Sequence, residues 1–350
     1  MDSITQAALG AVCGELILGR KLGWRGMAWG ALFGTLPDLD ILAYPFLDQV
    51  ERMKWHRGIS HSFLAMFLVP FLLAWPLARL HRARGVSITQ CGWFIFLAWS
   101  THVLIDCFTT YGTQVWEPFS DRRESLGNIF IVDLFFTLPM LIGLVMVLFH
   151  EPNSVRRRRI NATALFISTC YVALSFCMKF ASIRHAEQFV AEQIPGGKLV
   201  ATSPTFSNIV LWRSLIETED GYYVRYWSPF DKRPAATQYF PKSHQLAEGV
   251  KGEELFQAVE WFSRGHYVVR RGKGEDDQDQ LIIIDMRYGG MRNVDEKTLH
   301  PTFQWRLSHD DGEYKLASYR PKRIKFWQQI KLIGSRALGE LDDWESVQSF

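Results

Sequence analysis

The 350-residue sequence predicts an α-helical membrane domain of about six hydrophobic helices over residues 1–180, followed by a soluble α+β domain over 181–350. Two observations predict it. The first is an uneven spread of charge: 28 Asp, Glu, Lys and Arg side chains lie in 1–180 and 47 in the shorter remainder. The second is that stretches near the roughly 20 apolar residues needed to cross a bilayer core of about 30 Å gather in the first part. The formal net charge of +3 excludes a strongly basic nucleic-acid binder and an acidic disordered tail as descriptions of the whole chain. All five cysteines, Cys13, Cys91, Cys107, Cys170 and Cys177, fall in the first part without CxxC spacing. Neither a zinc ribbon nor a disulfide framework is written there, and the cysteine-free second part suits a reducing or an oxidising compartment equally.

Taken in order, segment 4–18 is short and rich in Gly and Ala, and 26–47 is interrupted by Pro37, Asp38 and Asp40. These two read either as spans or as buried, re-entrant helices. Gly10 with Gly14, and Gly26 with Gly30 and Gly34, repeat at four-residue spacing, which lets helix backbones approach closely. Segments 63–80, 91–108, 129–149 and 160–180 are the clearest spans. Residues 1–10 have no basic stretch and contain Asp2, so no secretory signal is expected and the first helix should remain in the mature protein. Three basic clusters, Arg20, Lys21 and Arg25, then Arg79, Arg82 and Arg84, then Arg156 to Arg159, alternate along the spans as cytoplasmic loops would. Six spans then place both the N-terminus and everything after Phe180 on the outer side of the membrane.

Beyond Ala181 the pattern changes. Segments 209–218 and 222–227 flank Glu219-Asp220-Gly221, an Asp-Gly turn between β-rich runs, and 303–307 and 314–319 flank Asp310-Asp311-Gly312 in the same way. Residues 251–263 have helical spacing of Leu255, Val259 and Phe262, 281–286 reads as a buried strand, 272–280 as a polar loop, and 324–338 as an amphipathic helix. His244, His266, His300 and His309 are scattered and read as surface or turn residues.

Ionisable groups inside spans cost roughly 2.5 kcal/mol or more at a helix centre and face interior sites or water-filled cavities. Here they are of one chemical kind: Asp38 and Asp40 beside Pro37, His56 and His61 in His56-Arg57-Gly58-Ile59-Ser60-His61-Ser62, His102 and Asp106 four apart on one helix face, and Asp133. The orientation drawn from Lys and Arg alone sets all seven at the outer side. Imidazoles with carboxylates suit zinc, or manganese or iron in a mixed N/O site, better than calcium or magnesium. His56, His61, His102 and Asp106 are the expected ligands, with Asp38 and Asp40 as further ligands or bridging carboxylates. A free aspartate, Asp133 among them, would serve as base. Arg57, with Arg123 second, would pair with an anionic substrate group. Asp38 as a turn residue and Asp133 as a helix cap are the plainer alternatives.

These residues resemble the YdjM-like membrane-bound metal-dependent hydrolases. The resemblance rests on Asp2-Ser3-Ile4-Thr5-Gln6 followed by Gly10, Gly34-Thr35-Leu36-Pro37-Asp38-Leu39-Asp40, the 56–62 segment, Thr101-His102 through Asp106, and Tyr111-Gly112-Thr113 with Pro118-Phe119-Ser120. It covers roughly residues 1–150. One departure is Gln6, where many relatives have a histidine; its amide oxygen, or a water, could take that ligand's place. The resemblance implies a metal and hydrolysis, and a site at the outer leaflet implies membrane lipids as partners, with a lipid or lipid-linked ester or phosphoester as substrate. A transporter using the polar groups as a relay, and a scaffold holding a structural metal, are the competing expectations.

Overall fold

The computed structural model describes residues 1–273, 279–310, 313–318 and 326–347. The chain forms two units, one of Met1–Leu47 with Trp55–Phe176, the other of Asp48–Lys54 with Cys177–Phe350.

In the first unit, helix α1 (Ser3–Leu22) begins where the Asp2 carboxylate accepts from the amides of Ile4 and Thr5, and it ends at Gly23, whose φ of 60° closes the turn. Helix α2 (Trp24–Thr35) folds straight back on it. The glycine repeats are the reason the two backbones touch: a Cβ on Gly10 would run into the Gly30 carbonyl, and one on Gly14 into that of Gly26. Pro37 cannot continue the α-helical hydrogen bonding, and the chain tightens into a 3-10 segment, Leu36–Phe46. The expected span over 26–47 is therefore a 12-residue α-helix followed by a differently wound segment. Twelve residues reach only about 18 Å, short of a bilayer core.

Helix α3 (Gln49–Trp55) and a 3-10 turn, Ile59–His61, lead to α4 (Phe63–Leu80), capped by Ser62, whose hydroxyl accepts from the Ala65 amide. A Ser87/Gln90 capping box opens α5 (Ile88–Cys107), which packs against α1, α2 and α4. Phe94, Ile95, Trp99 and Val103 of α5 join Cys13, Leu18 and Phe33 in the core, whereas Phe67, Phe71 and Trp75 of α4 point outward, as side chains against lipid would. Helix α6 (Leu134–Leu148) follows Asp133, and α7 runs unbroken from Val155 to Gln193. No Pro or Gly lies within those 39 residues, and the helix stops just before Pro195-Gly196-Gly197.

Among the described residues, three helices, α4, α5 and α7, are long and apolar enough to cross a membrane, with mean hydropathies of 1.9, 1.3 and 1.6. The count of six is not reproduced. The second segment is broken at Pro37, and α6 keeps only 15 residues because its cap falls at Asp133. In the other direction, α7 is longer than the expected 160–180; at 1.5 Å per residue it extends about 58 Å, well beyond a bilayer core.

The second unit is sheet-rich. Strands β1 (Lys198–Pro204), β2 (Trp212–Glu217), β3 (Gly221–Trp227) and β4 (Gln238–Pro241) form an antiparallel meander. Helix α8 (Glu254–Ser263) precedes β5 (Tyr267–Lys273) and β6 (Asp279–Asp285). A ribbon of β7 (Gly290–Asn293) and β8 (Thr298–Pro301) is followed by β9 (Gln304–Asp310) and β10 (Glu313–Ser318). The second sheet is ordered β10-β9-β6-β5, all antiparallel. Helices α9 (Phe326–Ala337) and α10 (Asp342–Glu345) complete the unit.

The first Asp-Gly hairpin forms as expected, with Glu217 paired to Tyr222. In the second, β9 and β10 pair through Asp310 and Glu313, while the turn residues Asp311 and Gly312 lie outside the described residues. So do 274–278 of the expected polar loop, whose ends belong to β5 and β6, and the first two residues of the expected helix 324–338. Leu211, Leu215, Tyr222, Val224, Val268 and Ile284 form the core of this unit.

Candidate metal centre

Three pieces of the first unit bring the polar residues together. The 3-10 path after Pro37 carries Asp38 and Asp40 on a tight turn. The 56–62 loop is set by Arg57, a non-glycine residue at a φ of 61°, and is pinned by its amide donating to Asp40 Oδ2 at 2.9 Å and its carbonyl accepting from the Gln114 amide at 3.0 Å. Helix α5 presents His102 and Asp106 one turn apart.

Four side chains then converge, each offering one donor atom, and all four atoms lie within 4.8 Å of one another: Asp38, His61, His102 and Asp106. His61 Nε2 is 3.1 Å from His102 Nε2, 3.3 Å from Asp38 Oδ1 and 3.5 Å from Asp106 Oδ2. His102 Nε2 is 3.5 Å from Asp38 Oδ1 and 3.6 Å from Asp106 Oδ2. Four N and O donors around a tetrahedral ion at about 2.0–2.1 Å stand about 3.3 Å apart, which is the middle of this range.

The surrounding hydrogen bonds fit a cation as well. Asp38 Oδ1 and Asp106 Oδ2 are buried oxygens without a hydrogen bond, Asp106 Oδ2 being answered by the Arg57 ion pair at 3.1 Å, and such buried acceptors leave a place for a cation. His102 Nδ1 donates to the Gly34 carbonyl at 2.6 Å, which leaves the Nε2 lone pair facing the cluster. His61 Nδ1 sits 2.9 Å from Ser60 Oγ, which in turn donates to Asp40 Oδ2 at 3.4 Å, so its Nε2 is likewise turned inward. Asp106 is held from behind: its Oδ1 accepts from Gln6 Nε2 at 2.9 Å and from the Met1 amine, and its Oδ2 is 3.1 Å from Arg57 Nε. The residues present therefore fit a bound divalent metal. His61, His102 and Asp106 are fully buried, whereas the Asp38 side chain keeps 18% of its surface exposed through atoms other than its buried Oδ1.

The other expected site residues are placed differently. Asp40 does not join the four; it receives His56 Nδ1 at 3.0 Å on Oδ1, with the Arg57 amide on Oδ2. His56, 22% exposed, thus stands beside the cluster, its ring centroid 6.3 Å from that of His61. Arg57 is 2% exposed and faces Asp106, with Nη1 3.4 Å from Thr109 Oγ1, so its charge is used within the protein. Arg123 is buried too, and both guanidinium groups lie over the Tyr111 ring at 4.8 Å. Gln6 donates its amide nitrogen to Asp106 Oδ1 at 2.9 Å, and its buried Oε1 has no hydrogen-bond partner.

Asp133 is not brought to the cluster. Its Oδ1 caps α6 through the amides of Phe135 and Phe136, and its Oδ2 accepts from the Tyr171 hydroxyl at 2.9 Å. Sequence reasoning did not single out Gly34 O, Ser60 or Thr109. A backbone carbonyl leaves no mark in side-chain chemistry, and Ser60 and Thr109 are ordinary turn residues until the fold sets them beside histidine and arginine.

A multi-helix membrane protein with a His/Asp cluster at one end of its helical unit is thus the class that fold and site define. The chain belongs to the YdjM inner membrane protein family, whose pattern matches residues 1–182. The inner membrane protein YbcI of Escherichia coli (strain K12) is 35% identical over 124 residues, 34% of this chain and 69% of that protein. YfhP of Bacillus subtilis (strain 168) is 24% identical over 236 residues, 64% of this chain and 67% of the relative. No solved structure matches the chain.

Proposed function

We propose that this inner-membrane protein is a metal-dependent hydrolase acting at the outer leaflet on a lipid or lipid-linked ester or phosphoester, with zinc the favoured metal and manganese or iron the next. The observation that carries the reading is the asymmetry of the cluster: three buried donors, His61, His102 and Asp106, and a fourth, Asp38, at the solvent-facing side. A catalytic ion keeps one position for water or substrate, and the part-exposed Asp38 is the ligand placed to yield it. The bound ion would supply Lewis acidity toward water and toward the oxygen of the scissile group.

The chain's own residues supply the rest. Asp40 accepts from His56 Nδ1 and so leaves Nε2 of the part-exposed His56 free to take a proton from a water beside the cluster. Arg57 offsets the charge of Asp106 and fixes its orientation. The lipid assignment is supported by the outward apolar faces of α4 and by the basic clusters that set the opposite end in the cytoplasm. The same bias would place the second unit in the periplasm.

A structural metal is the second reading, favoured by the presence of four protein donors with five of their separations between 3.1 and 3.6 Å, close to a tetrahedral edge. Turnover of fluorogenic phosphoester and carboxylester lipids in mixed micelles separates the two. A hydrolase loses at least 100-fold in kcat in Asp38→Asn and in His56→Gln while both variants stay folded; unchanged turnover in both, or none in the wild type with metal bound, favours the structural site.

A further inference from the structure

The helical unit has a second polar end, opposite the metal cluster, where α1 stops, α2 starts, α4 stops and α5 starts. Side chains tie these ends together. Trp29 Nε1 donates to His81 Nε2 at 2.7 Å, which links α2 to the residue that closes α4. Lys21 donates to Gln90 Oε1 at 2.7 Å and to the Gly85 carbonyl, which links α1 to the turn before α5. On this frame stand Arg25, Arg79, Arg82 and Arg84, all exposed.

No carboxylate answers them. Residues 16–37 and 53–105 contain no Asp or Glu, and Glu15 is paired with Arg157. Glu151, on the turn whose Pro152 adjoins Gly23, forms no ion pair with them among the described residues. Arg25 and Arg79 lie 5.5 Å over the rings of Trp24 and Trp75, and the side chains of Arg82 and Arg84 make no hydrogen bond among the described residues. His81 feels the same imbalance: burial, then Arg84 and Arg25, hold its ring below the usual histidine pKa. With Nε2 accepting from Trp29, the ring hydrogen sits on Nδ1, so this surface offers donors alone. Trp24, Trp75 and Leu80 beside it are each at least 60% exposed, and indoles next to arginines at the end of a span suit the boundary between head groups and acyl chains.

We propose that this end is a binding site for an anionic phospholipid, its phosphate held by Arg25, His81, Arg82 and Arg84 and its acyl chains lying against Trp24 and Trp75. A guanidinium meets two phosphate oxygens side by side, and an anionic head group brings the negative charge that this surface lacks. A soluble phosphate ester would satisfy the donors and leave the indoles and Leu80 uncovered. The site lies apart from the metal cluster and requires no hydrolytic activity.

The test is native mass spectrometry of the delipidated full chain, titrated in detergent micelles with phosphatidylglycerol or with phosphatidylcholine. Phosphatidylglycerol should bind about tenfold more tightly. Arg25→Gln, Arg82→Gln and Arg84→Gln combined in one chain should bring the two lipids to within about twofold of each other. The denaturation midpoint in phosphatidylcholine should not move, because these side chains are exposed. Arg156→Gln, Arg158→Gln and Arg159→Gln combined remove the same charge from exposed positions at the start of α7 and should leave the preference intact. Equal affinity for the two lipids, an equal loss of preference in the two triple variants, or glycerol phosphate bound as tightly as the lipid would each overturn the proposal.

Discussion

Asp40 occupies the position where small changes should be most informative, because it touches the cluster only through others. It receives His56 Nδ1, the Arg57 amide and, through Ser60, the back of His61. Outer partners of metal-bound histidines typically contribute 10–100-fold to affinity or activity. Asp40→Asn should therefore retain metal with Kd weakened by about 10–100-fold, measured by competition with a chromophoric chelator. An equal affinity would show that Asp40 serves the loop fold alone. The chemistry of this site was legible at the residue level, since His102 and Asp106 four apart on a helix and His61 beside a glycine turn are ligand types at ligand spacing. Which aspartate of 38 and 40 faces inward was not legible. That depends on the 3-10 winding after Pro37 and on the left-handed backbone of Arg57, and a residue other than glycine gives no sign of that conformation in advance.

Among the elements, α1 and α7 are tied by a contact that the reading of charge clusters mistook in kind. Arg157, one of four consecutive arginines taken together as a cytoplasmic marker, is buried: its Nε and Nη2 reach Glu15 Oε1 and Oε2 at 2.6 and 2.7 Å, and its Nη1 donates to the Val147 and His150 carbonyls. Three arginines of the run remain to bias orientation. Removing one partner of such a pair strands the other charge in a dry interior, at a cost of about 3–5 kcal/mol, whereas replacing both with apolar residues is often close to neutral. Glu15→Leu and Arg157→Leu should each lower the denaturation midpoint in detergent sharply, and the double variant should recover most of the loss; additive losses would contradict the pairing. The α1–α2 hairpin was foreshadowed by its glycine spacing, and the backbone contact at Gly10 and Gly30 is its reason. Gly30→Leu should separate the two helices, and with Gly34 O displaced from His102 Nδ1 the metal should be lost as well, read as metal per protein after gel filtration.

For the whole molecule, the order of a helical part and a sheet-rich part was legible from charge density, because a membrane and water select opposite compositions. The number of spans was not: hydrophobicity alone cannot separate a helix that crosses lipid from one, such as α2, that packs on its neighbour's backbone. The broken second segment leaves the expected orientation as it was, since a hairpin that crosses twice and one that enters and leaves by the same face put the next segment on the same side; the 15-residue α6 must still cross, because without it the second unit falls on the cytoplasmic side. A cysteine at Glu219, in the exposed turn between β2 and β3, introduced into a chain whose five native cysteines are replaced by serine, should react with a membrane-impermeant maleimide in intact spheroplasts. Labelling only after lysis would place the second unit in the cytoplasm and contradict the assignment.

The central claim is that Asp38, His61, His102 and Asp106 hold a divalent metal, and elemental analysis of the detergent-purified chain tests it most directly. About one metal ion per chain is expected in the wild type, zinc above manganese and iron, and none in a His61→Ala, His102→Ala double variant that elutes as the same folded species. A metal-free wild type that stays folded and takes up none of the three on dialysis, or a double variant that keeps its full complement, would contradict the assignment.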